Sequence, residues 1–317
     1  MNIEGKKITI FGGNGFIGKN LISSLCKKSC MVQVVTRDNK NKNELKFLGG
    51  LGQVDVVLAQ RFDQKEIREI ISGTDIVINL IGILYETKKC KFNYVHTNIP
   101  KLIAEAVKDY KIKRFIHLSA LGVEKNLDSQ YAISKKNGEL EVLKAFPDAV
   151  IIRPSVVFGK EDNFINLFSK ISFFSPILPL LGTPVISYKS KYFPTVDFKS
   201  GVSFQPVYVG DLVDYIISIF GEKNKIFKIA GPNILSFKEI LTMICKVKKI
   251  KRIMLPLPIF LARFIALFLE KFPKPLLTTD QVKMLENDNV SKEGQNNLEK
   301  KIKNPKSLNI MLPTYIS

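Results

Sequence analysis

The sequence predicts an α/β protein: a doubly wound parallel sheet with a smaller carboxyl-terminal subdomain. Three observations support this. Short apolar runs alternate with helix-period segments through the first half, a glycine-rich turn follows the first run, and the alternation loosens after Gly159. Parallel strands can be joined only by crossovers long enough to hold a helix, so strict alternation argues for a sheet covered on both faces.

Taken in order, Ile8–Phe11 reads as the first strand and Ile17–Lys27 as a helix, followed by strands over Met31–Thr36 and Val54–Leu58. Gln64–Ser72 places Ile67, Ile70 and Ile71 at helical spacing, with Gly73 as the stop, and Ile76–Leu80 is the fourth strand. Asn98–Tyr110 is a helix, Arg114–Leu118 a strand, Tyr131–Ala145 a helix and Ala149–Arg153 a strand. Ser172–Ser203 carries prolines, glycine and aromatics without a sustained period, which suggests a loop-rich cap. Phe204–Val209 reads as a strand and Gly210–Phe220 as a helix, with Asp211 expected to cap it. Lys225–Ile229 follows as a strand and Ser236–Val247 as a helix, and the lysine-rich stretch from Asn287 is expected to be unstructured or loosely docked. The expected domains are a nucleotide-binding domain over 1–160, to which 204–222 returns, a smaller subdomain over 161–203 and 223–290, and a tail over 291–317.

The composition allows a substantial core, with 45% hydrophobic residues in 317. A net charge of +19 invites a nucleic-acid reading, but the basic residues are scattered lysines mixed with asparagine. No groove-reading motif accompanies them and aromatics do not interleave with the basic runs, so no nucleic-acid partner is expected. Cys26, Cys30, Cys90 and Cys245 form no CxxC pair and are expected to be idle thiols in a reducing compartment. The two histidines cannot build a metal site or a Ser-His-Asp triad, and His117 falls within a buried strand. The segment after Met1 lacks the apolar core of a signal peptide, and a cytoplasmic or matrix-like location is expected. Ile253–Leu269 is almost wholly apolar, follows the basic run Lys246–Arg252 and is interrupted by Arg263. It is short for a membrane span; a buried amphipathic helix and a helix lying on an anionic bilayer or a membrane-bound partner are both open readings.

The turn Gly12-Gly13-Asn14-Gly15-Phe16-Ile17-Gly18 joins the first strand to the first helix and predicts a Rossmann dinucleotide site. Gly12 permits the tight turn, Gly15 lets the backbone approach a pyrophosphate and Gly18 packs the helix on the strand; the helix amino terminus supplies amide donors. Arg37 at the second strand's end suits a 2′-phosphate, which favours NADP(H) over NAD(H), and Asp38 next to it weakens that preference. Tyr131 and Lys135 stand one helical turn apart, where an ammonium beside a phenol is expected to favour the phenolate. Ser119, at a strand tip twelve residues before Tyr131, can hydrogen-bond a substrate oxygen.

FGGNGFIG at Phe11–Gly18, INLIGILYE at Ile78–Glu86, FIHLSALG at Phe115–Gly122 and YAISKKNGE at Tyr131–Glu139 resemble an extended, atypical short-chain dehydrogenase/reductase of the epimerase/dehydratase type. FPDAVIIRPSVVFGKED at Phe146–Asp162, FQPVYVGDL at Phe204–Leu212 and TTDQVKMLENDNV at Thr278–Val290 narrow this to the Rossmann-fold accessory subunit of respiratory complex I, alpha-subcomplex subunit nine, and its bacterial relatives. The resemblance implies cofactor contacts at Gly12, Gly15, Phe16, Ile17, Arg37, Leu80, Gly82, Tyr131, Lys135 and Pro154, and a catalytic set of Ser119, Tyr131 and Lys135. Gln60 stands where relatives commonly carry Asp or Asn near the adenine. It also implies a membrane-bound respiratory partner and a nucleotide held structurally. The alternative is an active NADP(H)-dependent oxidoreductase or isomerase on a small quinone- or isoprenoid-related substrate.

Overall fold

The computed structural model describes residues 2–38, 40–182 and 201–316, with the backbone of 185–187 and 195–197. The first half alternates as β1 (Lys7–Phe11), α1 (Phe16–Cys26), β2 (Met31–Thr36), α2 (Lys42–Lys46), β3 (Val54–Leu58), α3 (Gln64–Ile71), β4 (Ile76–Asn79), α4 (Ile99–Asp109), β5 (Arg114–Leu118), α5 (Gln130–Ala145) and β6 (Val150–Pro154). The strands lie parallel in the order β6-β5-β4-β1-β2-β3, so the winding reverses between β1 and β4. Side chains alternate across the sheet: Ile8, Ile10, Ile76 and Ile78 enter the core shared with α1, whereas Phe11, Val77 and Ile151 point to the side covered by α3, α4 and α5. Two buried faces explain why these strands read as continuous β-branched runs rather than alternating ones.

The second half contributes β7 (Val157–Phe158), α6 (Phe164–Phe174), β8 (Ile177–Leu181), β9 (Val185–Ser187), β10 (Thr195–Asp197), β11 (Ser203–Phe204), β12 (Val207–Tyr208), α7 (Val209–Ser218), β13 (Lys225–Ile229), β14 (Leu235–Ser236), α8 (Phe237–Val247), β15 (Ile253–Leu257), α9 (Ile259–Leu269), α10 (Thr279–Met284), α11 (Lys292–Lys301) and α12 (Leu308–Met311). Much of the stretch expected as a loop-rich cap, residues 183–200, lies outside the described residues apart from the backbone of β9 and β10. The single strand expected over Phe204–Val209 is two short ones, with β11 pairing β14 and β12 pairing β7. Pro206, lacking an N–H, separates them. Leu212, Val213 and Ile216 of α7 share a core with Leu21, Ile22 and Leu25 of α1. Lys225–Ile229, expected in the smaller subdomain, is the seventh strand of the sheet, pairing in parallel with β6. A second core forms around Phe168 and Phe237, whose rings meet edge to face at 5.0 Å, with Leu178, Ile240 and Ile244 around them.

Three further expectations are overturned. α7 begins at Val209, so Asp211 lies within its first turn, and its carboxylate accepts the backbone N–H of Lys306 at 2.6 Å instead of capping the helix. The tail is not loose: Ser291 caps α11, Leu298 is fully buried, and Leu308, Leu312 and Ile316 join the second core. Gly294 makes this possible, because a Cβ there would come within 2.9 Å of the Ala230 nitrogen where α11 crosses the end of β13. These apolar residues are too few, and too diluted by lysine and asparagine, to produce a period in the sequence. Finally, Ile253–Leu269 is not a buried helix but a strand and a helix divided at Pro258, and only Ala262 and Ala266 of α9 are buried.

Leu298→Ala is therefore expected to cost about 2–5 kcal/mol, the usual range for emptying a closed leucine site, read as a lower denaturation midpoint. An unchanged midpoint would return the tail to a loosely docked state.

Candidate nucleotide-binding site

The crevice at the carboxyl ends of β1 and β4 opens where the winding reverses, the place where open α/β sheets bind ligands. Gly12 adopts φ +78°, and a Cβ there would lie 2.9 Å from the Ile81 nitrogen and 3.0 Å from the Leu80 carbonyl carbon. Only glycine lets the turn lie this close to the β4 tip. A Cβ on Gly18 would overlap the Gly13 backbone, whereas one on Gly15 would touch only the Gly12 oxygen at 3.4 Å. Gly15 is the N-cap residue of α1 and no side chain caps the helix, so the first-turn amides of Phe16, Ile17 and Gly18 are available to an anion.

Arg37 is exposed at the tip of β2, and its Nη1 donates to Cys90 Sγ at 2.9 Å, which brings the loop after β4 across the crevice. The Asp38 carboxylate accepts the Lys40 amide at 3.1 Å and so is engaged in a local turn. Gln60 follows β3 with an exposed side chain; its amide, with those of Arg61 and Phe62, donates to the Glu66 carboxylate. Pro154 ends β6 with its carbonyl accepting the Leu121 amide at 2.8 Å, on the far side of β5. Leu80 therefore stands beside the glycine turn and Gly82 beside Lys135, whose Nζ would lie 3.2 Å from a Cβ there, and Arg37, Gln60 and Pro154 mark the two flanks.

Lys135 reaches the strand end that carries Ser119, and Tyr131 stands one turn before it on α5, but not in the state expected. Lys135 is buried, with Nζ donating to the carbonyl of Leu118 at 3.1 Å and of Ile81 at 3.5 Å. Burial lowers its pKa to about 8, with Glu139 partly opposing the drop. The Tyr131 phenol is pushed up to about 12 by burial and by the Asp280 carboxylate. Desolvation, and after it the Asp280 carboxylate, thus favour the protonated phenol rather than the phenolate expected from the lysine. The Ser119 hydroxyl is buried without a well-aligned partner, within reach of the Glu139 carboxylate.

Three supporting groups escaped the sequence reading. Asp280 of α10 accepts Ser129 Oγ at 2.8 Å and the amides of Gln130 and Tyr131 at 2.7 and 3.0 Å, a carboxylate on the amino terminus of α5. Its only signal was its place in the TTDQV stretch. Glu139, one turn beyond Lys135, takes a bidentate pair from Arg153 at 2.8 and 2.6 Å, and Arg153 also reaches Glu124. His96 lies in a π-helical turn, Tyr94–Asn98, against the Tyr131 ring at 5.3 Å. Its Nε2 accepts the Ile83 amide at 3.0 Å, so the proton sits on Nδ1 and faces Ser134 Oγ at 2.9 Å. A Cβ on Gly138 would overlap the His96 carbonyl oxygen, so this glycine sets how closely the turn meets α5. His117 is buried as expected, with Nδ1 on the Asn79 amide at 3.0 Å.

Burial and the Lys135 charge lower His96 to about 2 and His117 to about 3. An unfolded histidine takes up its proton near 6.5, so between about 6.5 and 3 the unfolded chain binds protons that the folded one does not. Stability is expected to fall as pH drops below about 6.5, by up to about 1.4 kcal/mol per pH unit for each imidazole. Denaturation midpoints measured between about pH 7 and pH 5 check this, and a flat profile would mean that both rings protonate in the folded protein.

Comparison with known proteins agrees with this architecture. Residues 4–135 match the NmrA-like family. The mouse mitochondrial NADH dehydrogenase (ubiquinone) 1 alpha subcomplex subunit 9 is 33% identical over 289 residues, covering 90% of this chain and 72% of the mouse protein. The Dictyostelium discoideum protein of the same name is 31% identical over 240 residues, covering 74% of this chain and 62% of its own. Among solved structures, Citrobacter triphenylmethane reductase superposes with a TM-score of 0.75 at 15% identity, over 98% of this chain and 99% of that one. Thermus thermophilus UDP-glucose 4-epimerase, in complex with NAD, gives 0.70 at 16% identity, over 98% and 97%. The structures establish a shared Rossmann fold. The sequence identity goes further: this chain belongs to the family of NADH dehydrogenase (ubiquinone) 1 alpha subcomplex subunit 9.

Proposed function

We propose that this chain holds a nicotinamide dinucleotide, NADP(H) in preference to NAD(H), as a standing part of a membrane-bound respiratory complex. The state of Tyr131 and Lys135 carries this reading: the phenol keeps its proton to about 12, and the ammonium is directed at the Leu118 and Ile81 carbonyls. Such a pair suits hydrogen bonds to a ribose better than proton transfer near neutrality. The pyrophosphate would lie on Gly12, Gly15 and the amides of Phe16, Ile17 and Gly18, with Leu80, Gly82 and Pro154 toward the nicotinamide and Gln60 toward the adenine. The exposed Arg37, with Asp38 engaged by Lys40, supports recognition of a 2′-phosphate. Relatives named as subunits of NADH dehydrogenase support the respiratory partner. The chain would sit peripherally on the matrix-like or cytoplasmic side of the membrane, with residues 246–269 toward an anionic surface.

The buried Ser119 hydroxyl without an aligned partner favours a second reading, an NADP(H)-dependent oxidoreductase or isomerase acting on a small quinone- or isoprenoid-related substrate.

Mass spectrometry of the natively purified chain separates the two. Retained NADPH that quinone substrates do not oxidise supports the structural role, and Tyr131→Phe is then expected to weaken retention only a few-fold to about tenfold, the worth of one hydrogen bond. Turnover abolished by Tyr131→Phe would establish the enzyme instead. Arg37→Ala is expected to weaken NADPH about tenfold to a hundredfold in calorimetric titration while leaving NADH nearly unchanged. Equal losses for the two would refute a 2′-phosphate contact.

A further inference from the structure

α9 reads IFLARFIALFL and packs the opposite way round from a helix on the surface of a soluble protein. Its small residues, Ala262 and Ala266, face inward one turn apart, while Phe260, Phe264 and Phe268 are 74%, 58% and 54% exposed. The face continues beyond the helix: Ile253 and Leu255 of β15 are exposed beside Phe173 and Phe174 at the end of α6, joined through the Arg252 Nε bond to the Ser172 carbonyl and the Ile253 amide bond to that of Pro176. Contiguous apolar surface of this kind marks an interaction site.

Charge identifies what the face meets. Arg263, the one charge within α9, is paired with the partly exposed Glu286, so the charge that interrupts the sequence already has its counterion within the chain. The cations at the margin are placed differently. Lys248 lies 5.7 Å from the centre of the Phe173 ring, its Nζ donating to the Ser169 carbonyl at 3.1 Å, and the exposed Lys271 lies 5.6 Å from that of Phe268. Lys246, Lys249 and Lys251 are exposed just before β15. An apolar field with a lysine margin fits the boundary between acyl chains and anionic headgroups. The helix cannot cross, because its 11 residues reach about 16 Å against a hydrocarbon core of about 30 Å. No helix among the described residues is long and apolar enough to span a membrane.

We infer that this face is a seat for an anionic lipid bilayer, with α9 lying in the headgroup region, Phe260, Phe264 and Phe268 buried in it and the flanking lysines on lipid phosphates. The inference deepens the proposed placement at a membrane-bound complex and rests on it.

The chain contains no tryptophan, so Phe264→Trp introduces a single fluorescent reporter. Its emission is expected to shift to the blue when the full-length protein meets vesicles of phosphatidylcholine mixed with phosphatidylglycerol. Co-sedimentation is expected to be about tenfold or more stronger on these vesicles than on phosphatidylcholine alone, and to weaken with salt. Phe264→Ser with Phe268→Ser should lose binding about tenfold or more, and Lys249→Glu with Lys251→Glu should lose the preference for anionic lipid. These residues are exposed, so melting temperature and nucleotide content are expected to stay at the wild-type values, which separates a lost seat from a lost fold. Binding that ignores phosphatidylglycerol overturns the inference. So does an unshifted Phe264→Trp reporter in a chain that light scattering shows to be a dimer, an outcome that assigns the face to a second copy. Vesicle binding by a chain that retains no nucleotide would leave the seat standing and remove the proposed function; retained nucleotide without vesicle binding would do the reverse.

Discussion

A lysine ammonium buried between a helix and a parallel sheet has to be satisfied where it stands, and much of this molecule is arranged around that requirement at Lys135. Two strand-end carbonyls, those of Leu118 and Ile81, take its hydrogen bonds because the tips of β4 and β5 leave them turned toward α5. Neighbouring imidazoles stay neutral beside it, and Glu139 supplies a carboxylate one turn away while being neutralised in turn by Arg153. A buried charge is tolerable only with such surroundings. Burial and the Asp280 carboxylate keep the Tyr131 phenol protonated, in keeping with the proposed hold on a ribose.

The second organising element is the segment from Thr278 to Asn289. At one end Thr279 donates to the Glu270 carboxylate just beyond α9, and Glu286 pairs with Arg263 within it. Next to Thr279, Asp280 holds the first turn of α5, and at the other end Asn289 bonds Val156 and Gln205. The apolar face and the nucleotide crevice are therefore connected by hydrogen bonds through one short strap.

Much of the first half was legible in the residues. A strand, a glycine turn and a helix must appear in that order to seat a pyrophosphate, and both-sided burial leaves β-branched runs that few other arrangements produce. The residues around the site were harder to read because their roles come from contacts between distant parts of the chain. Asp280 lies 149 residues from Tyr131, whose amide it accepts. Asp211 looked like a cap because aspartate often is one, yet the amide it found belongs to Lys306, supplied by a tail whose lysines disguised four buried apolar residues.

By itself the sequence determined the winding, the glycine turn, the placement of Arg37 at a strand tip and the spacing of Tyr131 and Lys135 on one helix, because each follows from local periodicity or from spacing along one element. Tertiary structure alone decided the protonation of Tyr131, the seventh strand, the docking of the tail and the outward face of α9. Local pattern records which residues are apolar or charged. Which way a helix turns them, and which distant carboxylate meets them, is settled only when the chain closes on itself.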